Sequence, residues 1–372
     1  MVEGERPLDL HEPEPRRDRA VLPRQLHAAG VLDEQEPALL AGRQGQGPAP
    51  RAPGQQHAAR RRDQGLRLGV LLHQRRQGHL ERRQPDEHLL VPAGGTISLF
   101  PNLTEKPFND VNFRKGLSYA LDRKGVGDAA AEGYMQQAGQ TGMLLPNQES
   151  LLNPAIPDKG LITQNDKTAL SYFAKAGYTM KNGKLVDKTG APLTVSITTA
   201  NGYSDWLRAV QAITKEWAKV GITVKTKQPQ PAAYQLALRN GDFQLAMGSV
   251  GGTGSVYQDF ANNLSSEFYT PIGKQAANNF GRYKSAKVDA ILDRFKTTTN
   301  PQDQMELGYQ LQQIYYDELP SIGLYYGGSW GLFSTQKFTG WPSAKDPYTS
   351  PKTYVSTSLL ILTHLKKKEA AK

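Results

Sequence analysis

Residues 193–247 read LTVSITTANGYSDWLRAVQAITKEWAKVGITVKTKQPQPAAYQLALRNGDFQLAM, and this stretch decides the fold. Leu193, Val195 and Ile197 alternate with Thr and Ser, the period of a strand. Ser204 or Asp205 is placed to cap a helix along which Leu207, Val210, Ile213 and Trp217 recur at helical spacing, with Gly221 as its stop. Ile222 and Val224 open a second strand. Pro231 opens a second helix, carried by Tyr234 and Leu238 and ended by Gly241. Phe243, Leu245 and Met247 form a third strand. Strand, helix, strand, helix, strand with short connections predicts an α/β fold: an open mixed sheet, its strands mostly parallel in this unit, with flanking helices. Such sheets take ligands beyond the carboxyl ends of their strands. In this chain those ends run into residues 200–204 and 249–257.

Composition narrows the function classes. A length of 372 residues ordinarily means two or three domains. No stretch approaches eighteen apolar residues, so no span across a membrane is predicted. The absence of cysteine removes disulfides and thiolate metal sites. The net charge of +10 is spread rather than concentrated, with 15 Arg against 13 Asp and Glu in residues 1–95 and 30 Lys and Arg against 22 Asp and Glu in the remainder. No nucleic-acid partner is implied by that balance.

Residues 1–95 are built differently from the rest. Apart from Met1 they use only Ala, Arg, Asp, Gln, Glu, Gly, His, Leu, Pro and Val. Those are the residues whose codons begin with G or C. Selection for a fold does not sort residues by first codon base, whereas reading a GC-rich gene one base out of frame does. The segment is therefore read as frameshifted and disordered, with the true frame resuming near residues 94–96. A one-base shift of residues 87–91 permits a strand leading into residues 97–100. The other reading is a genuine Arg/Pro/Gln-rich arm, although such arms use Ser, Thr and Lys freely. Lacking aromatic residues and any β-branched residue but Val, the segment cannot supply a packed core. Its apolar run at residues 69–72 is too short for a signal-peptide core.

From residue 96 the pattern is regular. Residues 96–100 read as a strand, and Asn109 or Asp110 caps a helix through Phe113, Leu117 and Leu121 to Gly125. Asp166 caps a helix ended by Gly177, and Asn182-Gly183 marks a hairpin. Ser285 and Asn300-Pro301 begin two further helices, the second stopping at Leu319-Pro320. Ile322, Leu324 and Tyr326 alternate as a strand that residues 330–333 continue. Residues 366–372 are a solvated basic tail.

The words PFNDVNFRKGLSYALDRKGV (107–126), ALSYFAKAGY (169–178), WAKVGITVKTK (217–227), YQLALRNGDFQLAM (234–247), KVDAILDRF (287–295) and YYDELPSIGLYYG (315–327) together resemble the second lobe of family 5 extracellular solute-binding proteins of ABC importers. The resemblance covers nearly all of residues 100–345, and its specificity lies in the order and spacing of the words. It implies a two-lobed clamshell, periplasmic-binding-protein-like, that closes on an oligosaccharide or peptide and hands it to an ABC permease without doing chemistry. It also implies a monomer outside the cell or in the periplasm, often a lipoprotein anchored to the membrane. The division it implies is an aberrant segment at 1–95, a ligand-binding lobe at 96–330, and a segment at 331–372 returning toward a first lobe. This chain departs from the family in having no signal peptide and no legible first lobe, so binding would be impaired. Resequencing through the codons for residues 88–97 and upstream is expected to reveal an inserted or missing base, with an upstream frame encoding an export signal and the first lobe. An intact frame from Met1 would refute the frameshift.

Peptide receptors of the family usually carry an acidic residue after the third strand of the βαβαβ unit. Here residues 249–258 read SVGGTGSVYQ, and an acid arrives only at Asp259. Neutral hydroxyls and aromatic faces, with Trp330, GWP (340–342) and DPY (346–348), suit sugars and favour an oligosaccharide slightly over a peptide. The candidate ligand-binding residues are Tyr203, Trp206, Gly251, Gly252, Tyr257 and Trp330. Tyr203 and Trp206 stand at a strand mouth, and each can stack on a ligand or pack at a helix start. Gly251 and Gly252 belong to a loop needing positive φ; the phosphate-loop pattern fails because Tyr257 takes the last glycine position. Trp330, after Gly327-Gly328, reads as hinge or cleft. Trp217, Tyr315 and Tyr316 read as packing, and Asp317 and Glu318 as solvated charges. Enzyme readings have little to stand on: after residue 95 the one histidine is His364, no nucleophile elbow accompanies it, and no cluster has metal-ligand spacing. No cofactor is implied. The alternatives are a carboxylate-pair glycoside hydrolase and a non-functional fragment.

Overall fold

The computed structural model describes residues 86–352 and 355–368. Two strands come first, β1 (Glu87–Leu90) and β2 (Ala93–Pro101), followed by α1 (Val111–Tyr119) and α2 (Arg123–Ala131). After a long loop, α3 (Asp166–Lys175) leads into the hairpin β3 (Thr179–Lys181) and β4 (Lys184–Val186). Both turn residues of that hairpin, Asn182 and Gly183, have positive φ, 49° and 71°, as a two-residue hairpin turn requires. The deciding stretch forms β5 (Thr194–Thr198), α4 (Ser204–Lys219), β6 (Thr223–Lys227), α5 (Pro231–Asn240) and β7 (Leu245–Val250). Then come α6 (Val256–Leu264), α7 (Ala286–Thr297) and α8 (Pro301–Glu318). The described chain closes with β8 (Ile322–Gly328), β9 (Gly331–Ser334), β10 (Phe338–Thr339), α9 (Ser358–His364) and β11 (Lys366–Lys367).

The central sheet has the order β6-β5-β7-β2-β8. Strand β5 is parallel to both β6 and β7, as strands joined through crossover helices are. Strand β2 runs antiparallel to β7 and to β8, so the sheet as a whole is mixed. Alternation along β7 divides the core between two faces: Leu245 and Met247 join the main cluster with Phe113, Leu117 and Trp217, while Ala246 joins Phe100, Tyr234 and Phe243. A third cluster holds α6, α7 and α8 together through Phe260, Leu292, Leu311 and Tyr315. Tyr315 is buried as its spacing indicates, its hydroxyl 2.5 Å from Ser321 Oγ, and burial pushes its pKa up to about 12.

Two buried arginines tie helices to chain crossings. Arg123 donates to the carbonyls of Ser118, Ile162 and Gly323 at 2.9–3.0 Å. Burial pulls its pKa down to about 10, since desolvation opposes the charged form. Arg114 donates to the carbonyls of Phe108, Glu318 and Leu319, and its pKa falls to about 10 for the same reason.

Several boundaries differ from the sequence reading. Ordered strand begins at Glu87 rather than after residue 95: β1 pairs with β9, and β2 starts at Ala93 opposite Gly328. The pairing partner supplies the order that the local composition lacks. Residues 1–85, where the rest of the expected frameshifted segment falls, and the tail beyond Lys368 lie outside the described residues. The helix expected to run to Gly125 breaks at residues 120–122, because Asp122 accepts the Gly125 N–H at 3.0 Å and caps a new helix. Asn165, not Asp166, caps α3. Helix α4 starts at Ser204 without a side-chain cap. Residues 330–333 continue β8 after a break at Ser329 and Trp330, since β9 pairs with β1 in the same antiparallel register in which β8 pairs with β2, and Lys366–Lys367 pairs with Phe338–Thr339 rather than hanging free. Glu318 is not simply solvated, since its carboxylate accepts the Tyr283 hydroxyl at 2.8 Å.

Candidate ligand-binding rim

Strand directions bring one end of the sheet to a common edge. The carboxyl ends of β7 and β8 lie there with the start of β2, through the pairs Thr96 with Val250 and Ala93 with Gly328, while β5 points the same way but ends beside Ala246, short of the end of β7. The loops leaving this edge are residues 199–203, 251–255 and 329–330, and with residues 93–95 they contain no Asp, Glu, Lys, Arg or His. The edge is therefore formally neutral and made of glycine, hydroxyl, amide and aromatic groups. Charges follow on α4 at Asp205 and Arg208, and Arg208 is spent on the carbonyls of Ala129 and Ala130 at 2.9 and 2.6 Å. At the end of β5, Thr198 and Thr199 are 3% and 0% exposed, and among the described residues their hydroxyls have no hydrogen-bond partner. Buried polar groups are nearly always paired, so this strand end holds unused hydrogen-bonding capacity.

The candidate residues separate into four settings. Tyr203 meets Trp206 edge to face at 5.2 Å between centroids, and Trp206 meets Tyr234 in the same way at 6.1 Å. The packing reading is realised, since the pair packs on the cluster around Tyr234. The Tyr234 hydroxyl donates to the Met247 carbonyl, and burial raises its pKa. Gly251 and Gly252 have φ of 74° and 81°. A Cβ at Gly252 would lie 2.3 Å from the Gly94 carbonyl oxygen, so close backbone approach requires glycine there. Trp330 is 43% exposed and packs edge to face on Tyr134 at 5.1 Å. Tyr257 is turned to packing, on Phe295 at 5.7 Å beside the third cluster.

Sequence reasoning noted Asp259 only as an acid arriving late after β7, and passed over Gln148 and Tyr134. Asp259 is 4% exposed and accepts from the Thr253 N–H and hydroxyl and from the Gln148 amide. Nothing in local spacing announces Gln148 or Tyr134, which arrive from the loop after α2. A small recess near Phe100, Asn279, Phe280 and Ser321 lies at the opposite end of β2 and β8 from the rim. Among the described residues no His/Cys/Asp/Glu cluster could hold a metal ion, and no helix is long and apolar enough to cross a membrane.

A mixed sheet with helices on both faces and a neutral rim at its strand ends is the architecture of a periplasmic-binding-protein-like lobe. The family "Bacterial extracellular solute-binding proteins, family 5 Middle" matches residues 60–271, and the chain belongs to that family. It is 26% identical over 242 residues to heme-binding protein A of Haemophilus influenzae, covering 64% of this chain and 40% of that protein. It is 26% identical over 237 residues to the oligopeptide-binding protein OppA of Bacillus subtilis, covering 63% of this chain and 40% of that one. Among solved structures, the mannohexaose-bound periplasmic oligopeptide-binding protein of Thermotoga maritima matches with TM-score 0.66 at 24% identity, over 75% of this chain and 53% of that one. The pentapeptide complex of the oligopeptide-binding protein from Thermus thermophilus matches with TM-score 0.57 at 19% identity, over 71% and 46%. The chain thus spans about two fifths of the length of the curated relatives it matches.

Proposed function

We propose that this chain supplies one wall of an inter-lobe cleft that captures an oligosaccharide or oligopeptide for delivery to a membrane ABC permease. The receptor would act outside the cell or in the periplasm, anchored to the membrane, without a cofactor and without turnover. The observation that carries this reading is that the loops following β5, β7 and β8, residues 199–203, 251–255 and 329–330, carry no charged residue. Family membership supports it, as do relatives and structural neighbours named for soluble ligands. The rim favours a neutral, hydroxyl-rich solute: no carboxylate stands ready there for a peptide's amino terminus, and Trp330 offers a partly exposed face for a sugar ring.

A single wall binds weakly, so the expected dissociation constant for mannohexaose is about 1 mM, roughly 4 kcal/mol. Saturation-transfer NMR with mannohexaose and with a free-termini pentapeptide tests this. Mannohexaose should bind more tightly, and Trp330→Ala should weaken it about tenfold, as expected for one aromatic stacking contact. Binding of the pentapeptide alone would sink the sugar preference. Cleavage of mannohexaose would support the glycoside-hydrolase alternative. Binding of neither probe would support the non-functional alternative.

A further inference from the structure

The loop at residues 251–255 has three glycines at positive φ, Gly251, Gly252 and Gly254. Glycine populates both signs of φ about equally, so this sequence cannot hold one shape by itself. The structure holds it from outside. Asp259, in the first turn of α6, accepts the Thr253 N–H at 3.0 Å and the Thr253 hydroxyl at 2.7 Å on one carboxylate oxygen. Its other oxygen accepts the Gln148 amide at 3.1 Å. The Gln148 side-chain carbonyl in turn accepts the Leu144 N–H at 2.7 Å. Both side chains are at least nine-tenths buried, at 4% and 9% exposure. Among the described residues, Asp259 takes part in no ion pair within 4 Å.

We infer that Asp259 is a positioning residue rather than a ligand anchor: with Gln148 it locks the glycine-rich rim loop to the turn at residues 144–148 and so fixes the shape offered to solute. Its carboxylate is acceptor-only, and three donors converge on it. This inference rests on the receptor reading only in calling the loop part of a ligand rim; the lock itself can be tested without ligand.

The polarity of the bridge provides the test. In Asp259→Asn the carbonyl can serve Thr253, but the amide then faces the Gln148 amide, donor against donor. Flipping Gln148 would break its bond to Leu144. In the double variant Asp259→Asn with Gln148→Glu, the new amide at position 259 donates to the new carboxylate at position 148. That carboxylate can still accept from Leu144, so every bond is restored with the charge moved across. Hydrogen–deuterium exchange of the full chain reads the outcome segment by segment. The single variant should exchange at least about tenfold faster at residues 144–148 and 251–256, with Leu245 to Met247 unchanged. The double variant should return both segments to within about threefold of the parent. Unchanged exchange in the single variant, or a double variant no slower than the single, overturns the lock. If the single variant does not fold, the double decides: parent-like exchange supports the lock, and failure to fold refutes it. Parent-like behaviour of the lock with no binding of mannohexaose or pentapeptide would count against the receptor reading and not against Asp259's role.

Discussion

Trp217→Ala is expected to lower the stability of the described lobe by about 3–5 kcal/mol, the range for emptying a buried aromatic site. Trp217 is fully buried, on the face of α4 that packs with Val195 and Ile197 of β5 and Phe113 and Leu117 of α1. Its indole N–H also donates to the Leu117 carbonyl at 3.1 Å. Leu117 lies in the last turn of α1, where carbonyls lack intrahelical partners, so the substitution leaves both a cavity and an orphaned acceptor. Trp217→Phe should keep most of the packing and lose chiefly the hydrogen bond, costing about 1–3 kcal/mol. Urea unfolding followed by far-ultraviolet circular dichroism measures both. A loss below about 1 kcal/mol for the alanine variant would mean that α4 does not seat on the sheet as described.

That burial is legible in the sequence, because Trp217 shares the helical period of Val210 and Ile213. The parallel unit β5-α4-β6-α5-β7 is equally legible, since its strands are sequence neighbours and its turns carry Gly221, Pro231 and Gly241. The placement of β2 and β8 is not. Each alternates well enough to be read as a strand, but their mutual pairing joins residues more than two hundred positions apart, and no local pattern encodes a register across that distance. Strand β1 is illegible for another reason: the run EHLL has little strand propensity, and its order comes from pairing with β9. The break between α1 and α2 escapes the pattern because Asp122 looks like an ordinary surface acid until its cap to Gly125 is seen. At the rim, the loops and aromatics can be named from strand ends alone. The reason Gly252 must be glycine, and the partners that bury Asp259, lie in segments far away in the chain. The sequence therefore exposes which residues stand at the edge and hides what holds them there.

Gly252→Val should be among the most damaging substitutions at this edge, and Gly254→Val is its control. Both glycines have nearly the same backbone, with φ of 81° and 84°, so both valines incur left-handed strain of about 1–2 kcal/mol. They differ in space. A Cβ at Gly254 meets nothing within 4 Å among the described residues, whereas at Gly252 it falls 2.3 Å from the Gly94 carbonyl oxygen and 3.0 Å from the carbonyl carbon. The obstacle is backbone, so no rotamer relieves it, and the start of β2 must move. Gly94 has little room to give, because a Cβ on it would meet Ser329 Oγ at 1.9 Å. Displacing it would disturb the pairing of Ala93 with Gly328 and of Thr96 with Val250. The Gly252 variant should therefore lose about 3–4 kcal/mol, strain plus overpacking, against about 1–2 kcal/mol for Gly254. Amide exchange should quicken at Thr96 and Tyr326 in the first variant only, and any measurable affinity for mannohexaose should vanish with it. Equal losses in the two variants would show that the crossing of residues 94 and 252 is not the close contact described, and that the rim is shaped by the glycine loop alone.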